Sequence, residues 1–407
     1  MNRLWLRITG RVACSHNAKR WVSMSLVRRV PWRRLRRHAE HMPTQAWAWH
    51  PATRGGMPRW TALPAAVLLA FLAAASLLFA SAPAADARND PRVRAAVARG
   101  LDWLAGHQSR RGSWAASNGR YPTAMTAMAG MALLCEGSTT TQGKYSPNIR
   151  LAVDYLLSRS RPNGLIGDPY QDDRYIYGHG FSMLFLSQVL GEEEDLERRQ
   201  QLVDVLRRAV VFSGRAQTEA GGWGYISAEA GHGFDEGSTT ITQVQGLRGC
   251  RNAGIPVPNE IIDKAIKYID RCTLPDGGVQ YNIKGGGARP AITAAAVACL
   301  VNVGDYHKEL VDKLIPKLER FCSKNLDNLS AEGFGHWHYA HYYYAQVCYR
   351  EGGRKWEDYR NRIYARLVQE AGPDGSWVQG YIGPVYTTAI NLTILQLERA
   401  ALPIYQR

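Results

Sequence analysis

Two short stretches of the sequence carry side chains that could do chemistry. The first, FGHWHYAHYYYAQ at 334–346, places three histidines among aromatic residues. Histidines three residues apart share one face of a helix, so His338 and His341 could act together as acid–base groups or as metal ligands. The same spacing also fits packing inside a helix bundle, so the rest of the chain must supply the context.

The second stretch, DEGSTT at 235–240, offers a carboxylate beside a run of hydroxyl groups. A buried Asp235 paired with a cavity histidine could act as a general acid, because burial shifts the pKa values of such groups. A zinc site is a second hypothesis, since His179, His338 and His341, together with Asp235, are donor types that zinc accepts. The alternative is that the hydroxyl residues cap a helix.

Arg289 precedes Pro290 at the start of a predicted helix. Its guanidinium could bind a carboxylate, phosphate or diphosphate, aided by the positive end of the helix dipole. The alternative is a salt bridge to Asp235 or Glu236.

An internal repeat of about fifty residues gives these side chains a common setting. Each unit has an amphipathic helix, a glycine-rich turn with an apolar or aromatic residue, and a second helix of small and apolar residues. The six turns are RRGSW at 110–114, RPNGLIGDP at 161–169, AGGWGYI at 220–226, LPDGGVQYN at 274–282, SAEGFGHW at 330–337 and GPDGSWVQG at 372–380. The pattern predicts twelve helices in six hairpins.

Both terminal units keep the complete turn and an apolar second helix. An open helical solenoid needs polar capping units at its ends, so this pattern favours a closed ring. We therefore predict an all-α fold with a single α6/α6 toroid (barrel) over residues 92–402. The first helices would lie outside, and the second helices would surround a central cavity.

Cysteines recur near the ends of the second helices and supply a register between units. This register places His338 level with His179 and Arg289, and His341 one turn deeper, level with Gln243. The sequence thus predicts two polar rings at the cavity mouth, with aromatic residues nearby. The expected ligand contacts are His179, Trp223, Gln243, Arg289, Tyr342 and Tyr386, and the expected catalytic residues are Asp235, His338 and His341.

Several turns resemble those of squalene and oxidosqualene cyclases. The segment 108–114, QSRRGSW, matches the Gln-x-x-x-Gly-x-Trp motif that stiffens those enzymes, and Gln369 with 375–377, GSW, is a looser copy. The turns at 221–225 and 276–278 are also similar to those of protein prenyltransferase β subunits. The resemblance covers about residues 92–402, and it implies an α/α toroid with an isoprenoid or other apolar ligand.

The chemistry that this resemblance implies is only partly present. Class II cyclases protonate an alkene with the middle acid of an Asp-x-Asp-Asp-Thr-Ala motif, and Gly237 occupies that place in the nearest match. Prenyltransferases bind zinc through an Asp-x-Cys pair and a later histidine; His341 suits the last ligand, but unit four lacks the other two. Catalysis is therefore left open, and no cofactor is expected, with zinc as the alternative.

The excess positive charge lies in the first part of the chain. Residues 1–87 contain 13 Lys and Arg against two acidic residues, whereas the remaining 320 residues carry 37 against 33. The nearly neutral body removes the electrostatic case for a nucleic-acid partner. Residues 1–56 are predicted to be a disordered leader or a start-site artefact ahead of Met57. Residues 57–87 are predicted to be a signal peptide or membrane anchor, because their apolar run is uncharged and follows arginines.

Three functional hypotheses follow for a protein exported to the periplasm or cell surface. The first is a toroid that binds an apolar isoprenoid or lipid ligand in its central cavity. The second is a non-catalytic scaffold for a protein or glycan, and the third is a polysaccharide lyase or glycosidase. An isoprenoid site should be deep and aromatic, a glycan site should be an open groove with paired carboxylates, and a scaffold should have a plugged centre.

Overall fold

The computed structural model describes residues 90–231, 233–301, 308–329, 336–399 and 401–406. The predicted leader at 1–56 and the predicted signal or anchor at 57–87 lie outside these ranges. Within them, we find no helix with the length and apolar character that crossing a bilayer requires.

Twelve α-helices alternate between an outer and an inner layer in the described ranges. The outer helices are α1 (Pro91–Gly106), α3 (Ser146–Ser158), α5 (Leu196–Ala216), α7 (Asn259–Cys272), α9 (Lys308–Leu326) and α11 (Gly353–Glu370). The inner helices are α2 (Pro122–Leu134), α4 (Tyr175–Glu192), α6 (Gly237–Asn252), α8 (Pro290–Leu300), α10 (Trp337–Glu351) and α12 (Pro384–Gln396). A short antiparallel hairpin, β1 (Gln280–Asn282) and β2 (Gly285–Ala288), precedes α8.

The two layers differ in how many of their faces are covered. In α7 the buried residues are mainly isoleucines spaced three or four apart, which is the pattern of a helix with one covered face. In α2 every residue is buried, because this helix lies in the inner layer and has the outer helices behind it. The apolar second helices of the sequence are therefore the inner helices.

The ring of inner helices is closed. Each inner helix contacts the next one along the chain, and α12 returns to contact α2. Across this seam the side-chain amide of Gln396 donates to the backbone oxygen of Ala132 at 3.1 Å. The predicted all-α toroid of six hairpins is confirmed.

The turn glycines join each unit to the next. Gly112 has a positive φ of 86°, and a Cβ atom there would overlap the carbonyl oxygen of Leu151 in α3. The same contact recurs in four further turns, where the pairs are Gly164 with Arg208, Gly221 with Lys264, Gly277 with Lys317, and Gly375 with Arg99. The last pair joins unit six to unit one. The ring is therefore closed by the same glycine contact that joins its other neighbouring units.

The two ends of the ring differ. At the C-terminal ends of the inner helices, the segment 402–405 packs against the ring. The hydroxyl groups of Tyr405 and Tyr342 lie 2.7 Å apart, and the Ile404 amide donates to Gln188 at 3.3 Å. This segment covers the base of the ring, and the opposite end, at the N-termini of the inner helices, forms the mouth.

We predict that Gly112→Ala lowers the free energy of unfolding by about 2–4 kcal/mol, because it combines a left-handed backbone with a steric overlap. Gly119→Ala is the matched control. Gly119 also has a positive φ, of 73°, but no atom of the described residues lies within 4 Å of the place that an added methyl group would take. The control should lose about 1–2 kcal/mol. Urea unfolding of both variants measures this, and equal losses would contradict the contact between units.

Candidate functional site

A cavity of about 600 Å³ opens at the mouth of the ring. This volume lies within the roughly 300–1,000 Å³ range of small-molecule sites. Its apolar residues include Met125 and Ile292 and, at the seventh position of their helices and so deeper in the ring, Met128 and Phe181. Its outer wall is aromatic and carries the tyrosines 121, 177, 225, 281, 339, 381 and 386. The cavity can therefore take a ligand whose inner part is apolar.

Helix rotation decides which side chains reach this cavity. The third residue of an inner helix lines it in five of the six units, namely Ala124, Tyr177, Ile292, Tyr339 and Tyr386. Two residues further along, the helix has turned by about 200°, so the fifth residue faces away from the cavity. The third residue of an inner helix therefore lines the cavity, and the fifth residue packs on the side away from it.

The outward-facing position accepts a hydrogen bond from the turn of its own unit. The backbone N–H groups of Trp114, Trp223, Val279 and Trp377 donate to the hydroxyls of Thr126, Thr240, Thr293 and Thr388 at 2.9–3.1 Å. These threonines occupy the fourth or fifth position of their helices. The bond holds each inner helix at one rotation relative to its turn.

His179 takes the place of this threonine in unit two. Its Nδ1 accepts from the Ile166 amide at 3.1 Å, and its Nε2 donates to the Ala209 oxygen of α5 at 3.2 Å. Burial lowers the pKa of His179 to about 4, so the ring is neutral at pH 7. The structure thus places this expected ligand contact behind the cavity wall, where both ring nitrogens make structural bonds.

The two histidines of α10 also lie outside the cavity lining. His341 holds the fifth position, and its Nδ1 lies 2.7 Å from the Tyr359 hydroxyl of α11. His338 lies between α10 and α12, with Nδ1 3.2 Å from Asn391, and burial lowers its pKa. These two side chains share α10 but not the cavity.

In the described ranges, the structure does not bring the expected zinc ligands together. His179 belongs to α4, whereas His338 and His341 belong to α10. The described residues contain no group of three His, Cys, Asp or Glu side chains placed to hold a metal ion.

Asp235 is buried in the turn before α6. Its carboxylate accepts from the hydroxyls of Thr218 at 2.8 Å and Tyr268 at 2.9 Å, and it is not among the cavity-lining residues. Both bonds tie the turn of unit three to neighbouring segments, so the geometry gives Asp235 a structural position.

Three other expected ligand contacts are held by structural bonds. Gln243 donates to the Ile176 oxygen at 2.7 Å, and the Trp223 indole donates to the Ser213 oxygen at 2.8 Å. Tyr342 bonds to the covering segment at the base, as described above. Of the nine expected site residues, the structure brings Arg289 and Tyr386 to the cavity.

The predicted polar rings do not form as expected. The alignment of units on their cysteines does not match residues that face the same way on their helices. Thr293, which occupies the Thr240 position in unit four, lies six residues before Cys299, whereas Thr240 lies ten before Cys250. The register therefore matched Thr240 to Arg289. Counting from the start of each inner helix would have separated the outward-facing residues from the cavity residues.

The sequence indicated Glu236 only as a salt-bridge partner of Arg289, and the structure places it close to the cavity. Glu236 caps α6, and its oxygens accept from the amides of Ser238 at 2.8 Å and Thr239 at 2.7 Å. The Tyr177 hydroxyl donates to Glu236 at 3.0 Å. Since Tyr177 and Ser238 line the cavity, this carboxylate lies one hydrogen bond behind its wall. The available signal was the acidic residue directly before the α6 start.

Two arginines lie at the mouth on a shared aromatic surface. The guanidinium of Arg174 lies 4.2 Å from the ring centre of Tyr225, and that of Arg289 lies 5.6 Å from the ring centre of Tyr281. The two tyrosine hydroxyls are 2.5 Å apart. Each arginine directly precedes an inner helix, so the available signal was a cation at the N-terminal boundary of α4 and α8.

No family model matches this sequence, and no curated protein matches it. Solved structures do match. The apo type II terpene cyclase MstE from Scytonema is 14% identical, with 76% of this chain and 99% of that chain covered and a TM-score of 0.52. A variant of MstE with its product, merosterolic acid A, is 15% identical, with 77% and 98% covered and a TM-score of 0.52.

This chain has the terpenoid-cyclase-type α/α toroid fold. A variant α-1,6-mannanase of a Salegentibacter species, in complex with α-1,6-mannotriose, is 9% identical over 75% of this chain and 99% of that chain, with a TM-score of 0.56. The resemblance found in the sequence is thus confirmed for the fold. At these identities, the ligand of this toroid has to be inferred from its own site.

We predict that His179→Thr reduces the acid sensitivity of the toroid. Below the ordinary histidine pKa near 6.5, the unfolded chain binds a proton that the buried ring of His179, with its pKa of about 4, does not. Histidine therefore lowers stability as the pH falls from about 6.5 to 4, by up to roughly 3 kcal/mol. Threonine, which fills this position in four other units, removes that proton uptake.

Urea unfolding of the wild type and of His179→Thr at pH 7 and pH 4 measures this difference. The variant should gain about 2–3 kcal/mol relative to wild type over that range. His179→Ala is the control, because it also removes the titration but leaves the Ile166 amide without its acceptor and so is less stable at both pH values. Parallel pH profiles for wild type and the threonine variant would count against this assignment.

Proposed function

We propose that this toroid binds an isoprenoid or other lipid chain in its central cavity. The observation that carries the proposal is the cavity wall, which is apolar inside and tyrosine-rich at the mouth. Burial of a hydrocarbon chain contributes about 0.8 kcal/mol for each CH₂ group, so an apolar wall can supply affinity without specific polar contacts.

The comparison with MstE supports this ligand class at the level of the fold. A variant of that protein has been solved with geranylgeranyl dihydroxybenzoate, its substrate, at 14% identity and a TM-score of 0.50. An α/α toroid of this type can therefore accommodate an isoprenoid chain. The identity is too low to carry over the reaction.

We propose binding without cyclisation. No Asp or Glu lines the cavity as the structure describes it, and the expected acid Asp235 is engaged by Thr218 and Tyr268. A strong acid that protonates an alkene must touch the ligand, and Glu236 is separated from the cavity by Tyr177 and Ser238. Export of the protein is also a proposal, which rests on the sequence of residues 57–87.

The other two hypotheses fit the cavity less well. A glycosidase generally needs two carboxyl groups on either side of the scissile bond, about 5–9.5 Å apart, and the described lining offers neither. The mannanase similarity therefore supports the fold and not this chemistry. A scaffold with a plugged centre would not need an open cavity of about 600 Å³.

We predict that Ala291→Trp abolishes or strongly weakens binding of geranylgeraniol to the full-length protein. Ala291 lines the cavity, and an indole there would occupy the space of the ligand. Equilibrium dialysis with radiolabelled geranylgeraniol measures the dissociation constant, and we expect it to rise at least about tenfold in the variant, which is about 1.4 kcal/mol.

Ala253→Trp is the matched control. Ala253 has the same half-buried character as Ala291 but lies at the C-terminal end of α6, towards the base of the ring. The control should bind geranylgeraniol like the wild type. If neither variant changed the dissociation constant, or if the wild type did not bind, the cavity would not be a lipid site.

A further inference from the structure

We infer that the mouth of the cavity binds the anionic headgroup, a carboxylate or phosphate, of the lipid whose chain fills the cavity. Arg174 and Arg289 would hold the headgroup on the Tyr225–Tyr281 surface. This inference rests on the proposed function, and it adds a charged class of ligand and a direction of binding, with the headgroup outside and the chain inside.

Arg174 is the cation that points most directly to a ligand. It lines the cavity, and its guanidinium stacks on Tyr225 at 4.2 Å. Across the described residues, no acceptor lies within hydrogen-bonding or ion-pair distance of this guanidinium. The nearby Asp173 is already engaged by Arg120 at 2.8 Å. The described residues therefore leave the N–H groups of Arg174 to an anion in the cavity.

The aromatic surface holds the two cations in a defined arrangement. The bond between the Tyr225 and Tyr281 hydroxyls joins the turn of unit three to the β1–β2 hairpin. Phe234 packs against both rings, with centroids at 5.3 Å and 6.4 Å. The Nε of Arg289 donates to Gly286 at 3.2 Å, which orients its planar group at the cavity edge. A guanidinium group that is already held in place loses little freedom when it binds an anion.

The charges around the mouth favour an anion over a neutral headgroup. Arg174 and Arg289 directly precede α4 and α8, whose N-termini add positive partial charge at the mouth. Three buried carboxylates lie near the mouth in the described ranges, and each already accepts hydrogen bonds: Glu236 from the amides of Ser238 and Thr239, Asp172 from Thr123, and Asp235 from Thr218 and Tyr268. His336 lines the mouth, and partial desolvation together with Arg289 lowers its pKa.

An anionic lipid satisfies both parts of the site at once. Its charged oxygens would accept charge-assisted hydrogen bonds, which are stronger than neutral ones, in a partly desolvated mouth. Its chain would extend past Tyr177 and Tyr339 towards Met128 and Phe181, one helical turn deeper. A neutral alcohol with the same chain would keep the apolar contacts and lose the ionic ones.

The test compares geranylgeraniol with geranylgeranyl monophosphate on the full-length protein by equilibrium dialysis. In the wild type we expect the phosphate to bind at least about tenfold more tightly than the alcohol. In Arg174→Gln the preference should fall below about threefold, while the affinity for the alcohol stays within twofold of wild type. Lys284→Gln is the matched control, since it removes one positive charge from the hairpin tip without lining the cavity, and it should keep the wild-type preference.

Each outcome decides the inference. Equal binding of alcohol and phosphate by the wild type would overturn the headgroup site and leave the lipid cavity intact. Loss of alcohol binding in Arg174→Gln would also overturn it, because the residue would then support the cavity and not the charge. Inorganic phosphate that competes as strongly as the lipid phosphate would show an anion site unconnected to the chain. Failure of the wild type to bind either lipid would overturn the proposed function itself.

Discussion

One hydrogen bond sets the geometry of this toroid. In each of the five units where the turn is described, the second residue after the turn glycine donates its backbone N–H to the side chain at the fourth or fifth position of the following inner helix. A buried amide without an acceptor costs about 1–3 kcal/mol, so this position must carry an acceptor. The bond also fixes the rotation of the helix, and with it the residues that face the centre.

The composition of the cavity follows from that rotation. Because the third helical position faces inward, the types of five residues largely decide what the cavity can hold. Three of them are tyrosines, at 177, 339 and 386, and two are the smaller Ala124 and Ile292. The wall is therefore aromatic where the tyrosines lie and less filled where Ala124 and Ile292 lie. The segment 402–405 covers the base, so a ligand has to enter at the mouth.

The same constraint separates histidines that make structural hydrogen bonds from a histidine that lines the cavity. His179 is a neutral acceptor where other units have threonine, and His341 holds the corresponding fifth position of α10. His336, at the boundary before α10, reaches the cavity. Residues of one type within six positions thus have different roles, and the position in the helix decides which one each takes. The aromatic stretch at 334–346 is accordingly divided between cavity wall and packing.

The sequence alone determined the architecture, because helix periodicity, turn glycines and the repeat are local or regularly spaced signals. It predicted twelve helices in six hairpins, the closed ring and an apolar inner layer. Two of the nine expected site residues, Arg289 and Tyr386, line the cavity, and their role in binding stays a prediction. Only the tertiary structure decided the rest of the site. The cysteines lie near the end of each inner helix, but their distance from the start of the helix varies. An alignment on the cysteines therefore could not show which side chains face the cavity. The surface of Arg174, Tyr225 and Tyr281 joins three segments, each more than fifty residues from the next along the chain. They meet through the contact of Arg174 with the Tyr225 ring and one hydrogen bond, and no local pattern in the chain encodes that contact.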